Sequence, residues 1–164
     1  MKKLNRKGFT LVELLAVIII LAIVVGITIP AITNIINDSK NNALGVAVDA
    51  AADYLTDQYG YMNIDRTTAT TDFINAFGAG QTKAVYGTTA ASGEGTISAK
   101  LLKEMGFDAN NVSKLTATLS GSTICVSVTE IKNTSEYYST DYWTAGASDA
   151  ATVKSGATTK NSNC

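Results

Sequence analysis

Cys125, Cys164 and Glu13 are the side chains whose placement invites a chemical reading. Two thiols can oxidise to one bridge or persist as separate thiols, and the chain contains no third cysteine. Glu13 stands at the mouth of an otherwise uncharged run, where a carboxylate without a partner costs several kcal/mol in lipid and so asks for a cation. The remaining acids form no spaced pair and flank no credible nucleophile, which leaves catalysis without a candidate. Histidine is absent, which further weakens hydrolytic and zinc-site readings. The expectation is a chain that is not an enzyme and needs no cofactor and no metal.

The element carrying Glu13 is the most distinctive part of the chain. Residues 14–33 are 20 uncharged, mostly apolar positions, about 30 Å of helix and enough to span a bilayer. Lys2, Lys3, Arg6 and Lys7 precede the run with no acid among them, so the positive-inside bias places the N-terminus in the cytoplasm and the bulk outside. Losing residues 1–8 takes 13 basic residues against 14 acidic ones to 9 against 14. An acidic body without a basic, aromatic-interleaved stretch argues against nucleic acid as a partner. A cleaved secretory signal fits poorly, because the apolar run is too long and leads straight into more helix-like sequence. A plain single-pass anchor is the simpler alternative.

The stretch KGFTLVELL resembles the N-terminus of type IV pilins and of the pseudopilins of type II secretion and DNA-uptake machines. The resemblance implies that a prepilin peptidase cuts after Gly8 and that the same enzyme family methylates the new amine of Phe9. It also implies that Glu13 complements the amine of a neighbouring subunit during assembly, and Pro30 falls where the family has a proline. The local chemistry is compatible. Gly8 leaves an unbranched, flexible backbone for a peptidase cleft, and Glu13 lies four residues after Phe9, on the same helical face. Pairing within one chain and pairing between chains both remain open. A buried pair broken by misregister costs about 3–5 kcal/mol, so the second reading makes Glu13 a register mark for polymerisation.

Four segments follow: a leader at 1–8, a transmembrane or filament-core helix at 9–33, its amphipathic continuation at 34–60, and a globular head at 61–164. Ile32, Ile36, Ala43, Ala47, Ala50 and Tyr54, joined by Val46 and Leu55, recur at near-helical intervals, and Gly60 is the expected stop. Gly26 and Pro30 mark the most breakable part of this helix, which is expected to be continuous or gently bent in the free subunit. Short helices are expected near TTDFINAF, starting at Thr70 or Thr71 and ending at Gly78, and near SAKLLKEM, capped by Ser98 and closed at Gly106. Residues 86–96 read as a surface loop. Leu115, Ala117 and Leu119, then Ile124, Val126 and Val128, alternate with polar residues around Ser120 and Gly121, the pattern of a hairpin. Further strands are expected at 137–143 and 151–154. The fold class is therefore α+β: a long N-terminal helix, hydrophobic then amphipathic, packed on a small antiparallel sheet of three or more strands, as in the type IV pilin fold.

Many pilins, especially from Gram-negative bacteria, bridge two C-terminal cysteines, and the resemblance implies a Cys125–Cys164 disulfide here. Many Gram-positive relatives lack the bridge, so free thiols stand as the alternative. A closed loop of this size contributes about 4 kcal/mol in the simplest chain-entropy treatment. Tyr137, Tyr138, Tyr142 and Trp143 form the dense aromatic cluster and read first as local packing, second as a contact patch.

The leading functional reading is a structural subunit, the major pilin of a type IV pilus, polymerising through residues 9–54 for adhesion, aggregation or twitching motility. The partners implied are identical subunits, the prepilin peptidase and methyltransferase, an assembly ATPase with its membrane platform, and a host or neighbouring-cell ligand. The precursor would sit in the plasma membrane and the product outside the cell. The alternatives are a pseudopilin of a secretion or DNA-uptake machine and a minor, adhesive tip pilin. The intact mass of the mature chain is expected to correspond to residues 9–164 with one added methyl group, and the same spectrum reads whether two hydrogens are missing through a disulfide. A mass that retains residues 1–8 would overturn the processing assignment.

Overall fold

The computed structural model describes residues 9–133, 136–146, 150–162 and 164. It divides into two units, Met1–Ile36 and Asn37–Cys164. One helix, α1, runs Leu11–Ile64 without interruption at Pro30. Residues 9–36 are exposed on every side.

Within the second unit, α1 buries Leu44, Val48, Ala51, Ala52, Leu55 and Gln58. This corrects the stripe expected from the sequence. Ala43, Val46 and Ala50 face outward, as do Ile32 and Ile36, while Ala47 and Tyr54 are only partly buried. Alanines carry too little apolar area to fix the phase of a helix, so the larger Leu44, Val48 and Leu55 decide which face turns inward. Gly60 is a second correction, because the helix continues one turn past it. Tyr59 and Met62 pack against the core on either side of Gly60 and hold that turn. The chain then leaves through a turn in which Asp65 Oδ1 accepts the Thr67 N–H at 2.9 Å.

Two short helices follow where the caps indicate. Helix α2 spans Thr71–Phe77, with the Thr70 hydroxyl accepting from Phe73 N–H at 3.3 Å, and ends at Gly78. Helix α3 spans Ala99–Glu104, with the Ser98 hydroxyl accepting from Leu101 N–H at 3.0 Å. Gly106 closes it at φ 90°. Between them lie two strands that the sequence reading leaves inside or beside a loop, β1 at Lys83–Tyr86 and β2 at Gly95–Thr96. Gly95 permits β2 because a Cβ there would lie 1.7 Å from the Ala76 carbonyl oxygen of α2.

The expected hairpin is β3, Val112–Ser120, and β4, Thr123–Lys132, with Leu115 opposite Val128 and Ala117 opposite Val126. Its turn is Gly121-Ser122, one residue later than expected, with Gly121 at φ 65°. Trp143–Ala145 form β5 and Ala150–Val153 form β6. The strand expected at 137–143 therefore starts only at Trp143. Tyr137 packs edge-on against Phe107 at 6.3 Å and Tyr142 against Trp143 at 5.4 Å, so these aromatics serve local packing.

The sheet order is β2-β1-β3-β4-β6-β5, antiparallel except for the β1–β2 pair. Its inward residues Leu115, Ala117, Ile124, Val126 and Val128 share one core with Leu44, Val48, Ala51 and Leu55 of α1. The α+β class holds, with six strands. Neither the sheet face nor the helix stripe can remain in water alone, and each covers the other.

Ion pairs stitch the smaller elements to this frame. Asp72 of α2 accepts from Lys100 Nζ at 2.6 Å and from Ser98 Oγ at 2.8 Å, which joins α2 to α3. Glu94 accepts from Lys83 Nζ at 2.6 Å and from the Ala91 N–H at 3.0 Å, which ties the 87–94 loop to β1. The Lys100 contact first, then Ser98, holds the Asp72 carboxyl below its ordinary range, and Lys83 does the same for Glu94. Such lowered groups contribute stability above the ordinary carboxylate range and lose it as the pH falls through their lowered values. Thermal unfolding of Asp72→Asn is therefore expected to show a smaller fall in Tm between neutral and acidic pH than the parent, by a modest amount because Lys100 is largely exposed. An unchanged acid limb would contradict this role for Asp72.

Candidate assembly site

Thr10 immediately precedes α1, and Glu13 lies in its first turn. Their side chains cap the helix reciprocally. Glu13 Oε2 accepts the Thr10 N–H at 2.9 Å and the Thr10 hydroxyl at 2.8 Å, while the Glu13 N–H donates to Thr10 Oγ1 at 3.3 Å. The Thr10 carbonyl accepts from Leu14 N–H at 3.2 Å and opens the helical ladder. Donors that a helix start leaves unpaired are thus satisfied by two side chains. Threonine followed three residues later by glutamate is the spacing of a capping box, a signal that the sequence carries beside the need of Glu13 for a cation. The carboxylate is exposed, and both Thr10 bonds fall on Oε2, so Oε1 has no partner among the described residues.

Phe9 is 83% exposed, one residue before the cap. Its nitrogen makes no hydrogen bond to Glu13 among the described residues. The expected cleavage position, Gly8, lies outside the described residues. Further along, Pro30 has no N–H, so the Gly26 carbonyl four residues back loses its helical donor. Gly26 adds no side chain, and nothing lies within 4 Å of the position a Cβ would take. The Thr28 hydroxyl donates to the Val25 carbonyl at 3.3 Å and the Thr33 hydroxyl to the Pro30 carbonyl at 2.9 Å, so both polar side chains are satisfied on their own helix. The helix is intact through this stretch but short of one bond.

Around these residues α1 is apolar on all faces. Leu11, Val12, Ile18, Ile19, Ile27 and Ile29 are each more than half exposed. A surface of this extent is stable only when lipid or protein covers it. The helix is long and apolar enough to cross a membrane by length and composition.

In the head, Cys125 and Cys164 are joined in a disulfide with their Cα atoms 5.8 Å apart. The surface hollows are open. One, about 450 Å³, is lined by Tyr59, Met62, Arg66 and Phe77 among others, and Arg66 spends its guanidinium on the Gly78 carbonyl. Among the described residues no group of three or more His, Cys, Asp or Glu side chains is placed to hold a metal ion.

Residues 3–29 match the family model of the prokaryotic N-terminal methylation motif. That match supports a type IV pilin-like prepilin. It covers Thr10, Glu13 and Gly26 and stops one residue before Pro30. Neither curated proteins nor solved structures gave a significant match to the chain. The motif implies processing by a prepilin peptidase and assembly as pilin subunits, and it points to a structural subunit of the pilin and pseudopilin group. With the apolar helix, it fits a precursor anchored in a membrane.

Proposed function

We propose that this chain is the major structural subunit of a type IV pilus, stored in the plasma membrane and polymerised into an extracellular filament through its N-terminal helix. The observation that carries the reading is the exposed apolar surface of residues 9–36, most of which lies within the stretch that matches the methylation motif. Lipid covers that surface in the stored subunit; copies of the same helix cover it in the fibre. A repeated lateral contact that does not close into a ring yields an open helical polymer. Residues 1–8 serve as the leader, removed after Gly8, and Phe9 becomes the methylated terminus. The assembly ATPase, the membrane platform and an adhesion ligand on other cells complete the set of partners.

In this account Glu13 has two successive roles on two oxygens. Oε2 caps its own helix through Thr10, and Oε1 meets the Phe9 amine of a neighbour. Two variants separate them. Glu13→Gln keeps an acceptor for the Thr10 cap and removes the charge, whereas Thr10→Val removes the cap and keeps the charge. Glu13→Gln is expected to be processed normally and to lower filament yield at least about tenfold, because an unpaired amine is left buried. Thr10→Val is expected to polymerise. Normal fibres from Glu13→Gln, with failure of Thr10→Val, would mean that the cap alone matters.

Gly26 and Pro30 supply the compliance that packing many such helices requires. One backbone bond is already missing between them, so releasing the neighbouring turn costs less there than elsewhere on α1. Helical order is expected to be lost locally around residues 24–32 in the assembled filament. A density map of the fibre with unbroken helix through those residues would overturn this.

A further inference from the structure

The side of β4 facing away from β3 is closed by groups that do not belong to a neighbouring strand for most of its length. Among the described residues, only Glu130, Ile131 and Lys132 of β4 pair with β6. Nearer the hairpin turn, Ile124 N–H donates to Thr56 Oγ1 of α1 at 3.0 Å. Between these, the C-terminal tail takes over. Val126 N–H donates to Asn161 Oδ1 at 2.8 Å, and Asn161 N–H donates to the Val126 carbonyl at 3.1 Å. The Thr159 hydroxyl donates to the Val128 carbonyl, and Lys160 bridges Ser127 in antiparallel sense. Asn161 and Thr159 are 4% and 7% exposed, so two side chains supplement a short stretch of tail backbone at a buried edge.

What holds the tail in place is limited. Residues 158–162 read Thr-Thr-Lys-Asn-Ser and bring no large apolar side chain to the core. Apart from the edge bonds, Ser162 N–H donates to Asp49 Oδ1 at 2.6 Å, and Cys164 is bonded to Cys125. Upstream, the tail leaves β6 through a turn in which Ala157 N–H donates to the Lys154 carbonyl at 3.0 Å and Gly156 has φ 87°. Every edge contact would be reproduced unchanged if the tail came from another copy, which is the condition for exchange of an identical element. The balance between the two arrangements then depends on effective concentration and on the one covalent tie.

We propose that the β4 edge at Val126–Val128 is a strand-docking site for the tail of a second copy of this chain, kept closed in cis by the Cys125–Cys164 disulfide. A dithiol opens the site: it is oxidised to its own disulfide and passes two electrons and two protons to the bridge, leaving two thiols. In trans, Cys164 of one copy lies against Cys125 of the other. Reoxidation by glutathione disulfide forms one inter-chain bond and releases two glutathione molecules. The outcome is a covalent staple between copies.

The test mixes full-length Cys125→Ser and Cys164→Ser chains in detergent micelles with glutathione disulfide. A covalent heterodimer is expected, and adding Asn161→Ala to the Cys125→Ser chain, which donates the tail, is expected to reduce its yield about fivefold. No heterodimer, or a yield indifferent to Asn161→Ala as chance collision would give, overturns the proposal. A second measurement uses no variant. Light and ¹⁵N-labelled wild-type chains are opened together with dithiothreitol and reoxidised with glutathione disulfide. Peptide mapping is expected to recover Cys125 peptides of one isotope joined to Cys164 peptides of the other; only like-isotope pairs would overturn it.

Discussion

An apolar helix surface that water cannot cover is the constraint from which the other features of this chain follow. Residues 9–36 expose isoleucine, leucine and valine on every face, an area that lipid tails or other copies of the helix have to remove from water. Once inside such a medium, any group with unspent hydrogen-bonding capacity becomes expensive. The segment is built accordingly: Thr28 and Thr33 hydroxyls return to carbonyls of their own helix, and Thr10 and Glu13 satisfy the donors at its start. What is left over, one oxygen of Glu13 and one carbonyl opposite Pro30, is what an assembling neighbour or a yielding backbone can use.

The head solves a different problem, because it has to remain folded in water on a modest core. Its answer is a helix stripe of Leu44, Val48, Ala51 and Leu55 laid on the inward residues of the β3–β4 hairpin. The polar remainder is secured by a few specific ties rather than by burial. Gln58 accepts the Thr70 N–H at 2.8 Å and so links the end of α1 to the start of α2. Asn161 and the disulfide fasten a tail that could not order itself through apolar contacts. Closing the β4 edge in this way also hides backbone donors and acceptors that would otherwise invite pairing with another chain.

Much of this was legible in the residues, and the failures have physical causes. The hairpin was readable because Leu115, Ala117, Ile124 and Val126 alternate cleanly and both runs are long enough for the period to show. Helices α2 and α3 were readable from their caps, Thr70 and Ser98. Strands β1 and β2 were not, since four and two residues carry no periodicity and exist through tertiary pairing with β3 and with each other. The inward face of α1 was misjudged because exposed Ala43, Val46 and Ala50 resemble core residues, while buried Gln58 does not. At the N-terminus, the question of which cation Glu13 meets obscured the nearer partner, Thr10. Side chains that act as backbone, Thr10 at the helix start and Asn161 at the sheet edge, leave no apolar pattern to follow.

Whether the Glu13 carboxylate reaches the Phe9 amine of another subunit decides between a register mark and a helix cap. Solid-state NMR on fibres co-assembled from ¹³C-glutamate-labelled and ¹⁵N-phenylalanine-labelled subunits reads only contacts between subunits, since the two labels never occur in one chain, and the terminal amine of Phe9 is distinct from the amide nitrogens of the other phenylalanines. A through-space correlation between the Glu13 carboxyl carbon and the terminal Phe9 nitrogen is the result expected. Its absence in well-ordered fibres that display the Thr10–Glu13 cap would contradict the account and leave Glu13 as a helix cap only.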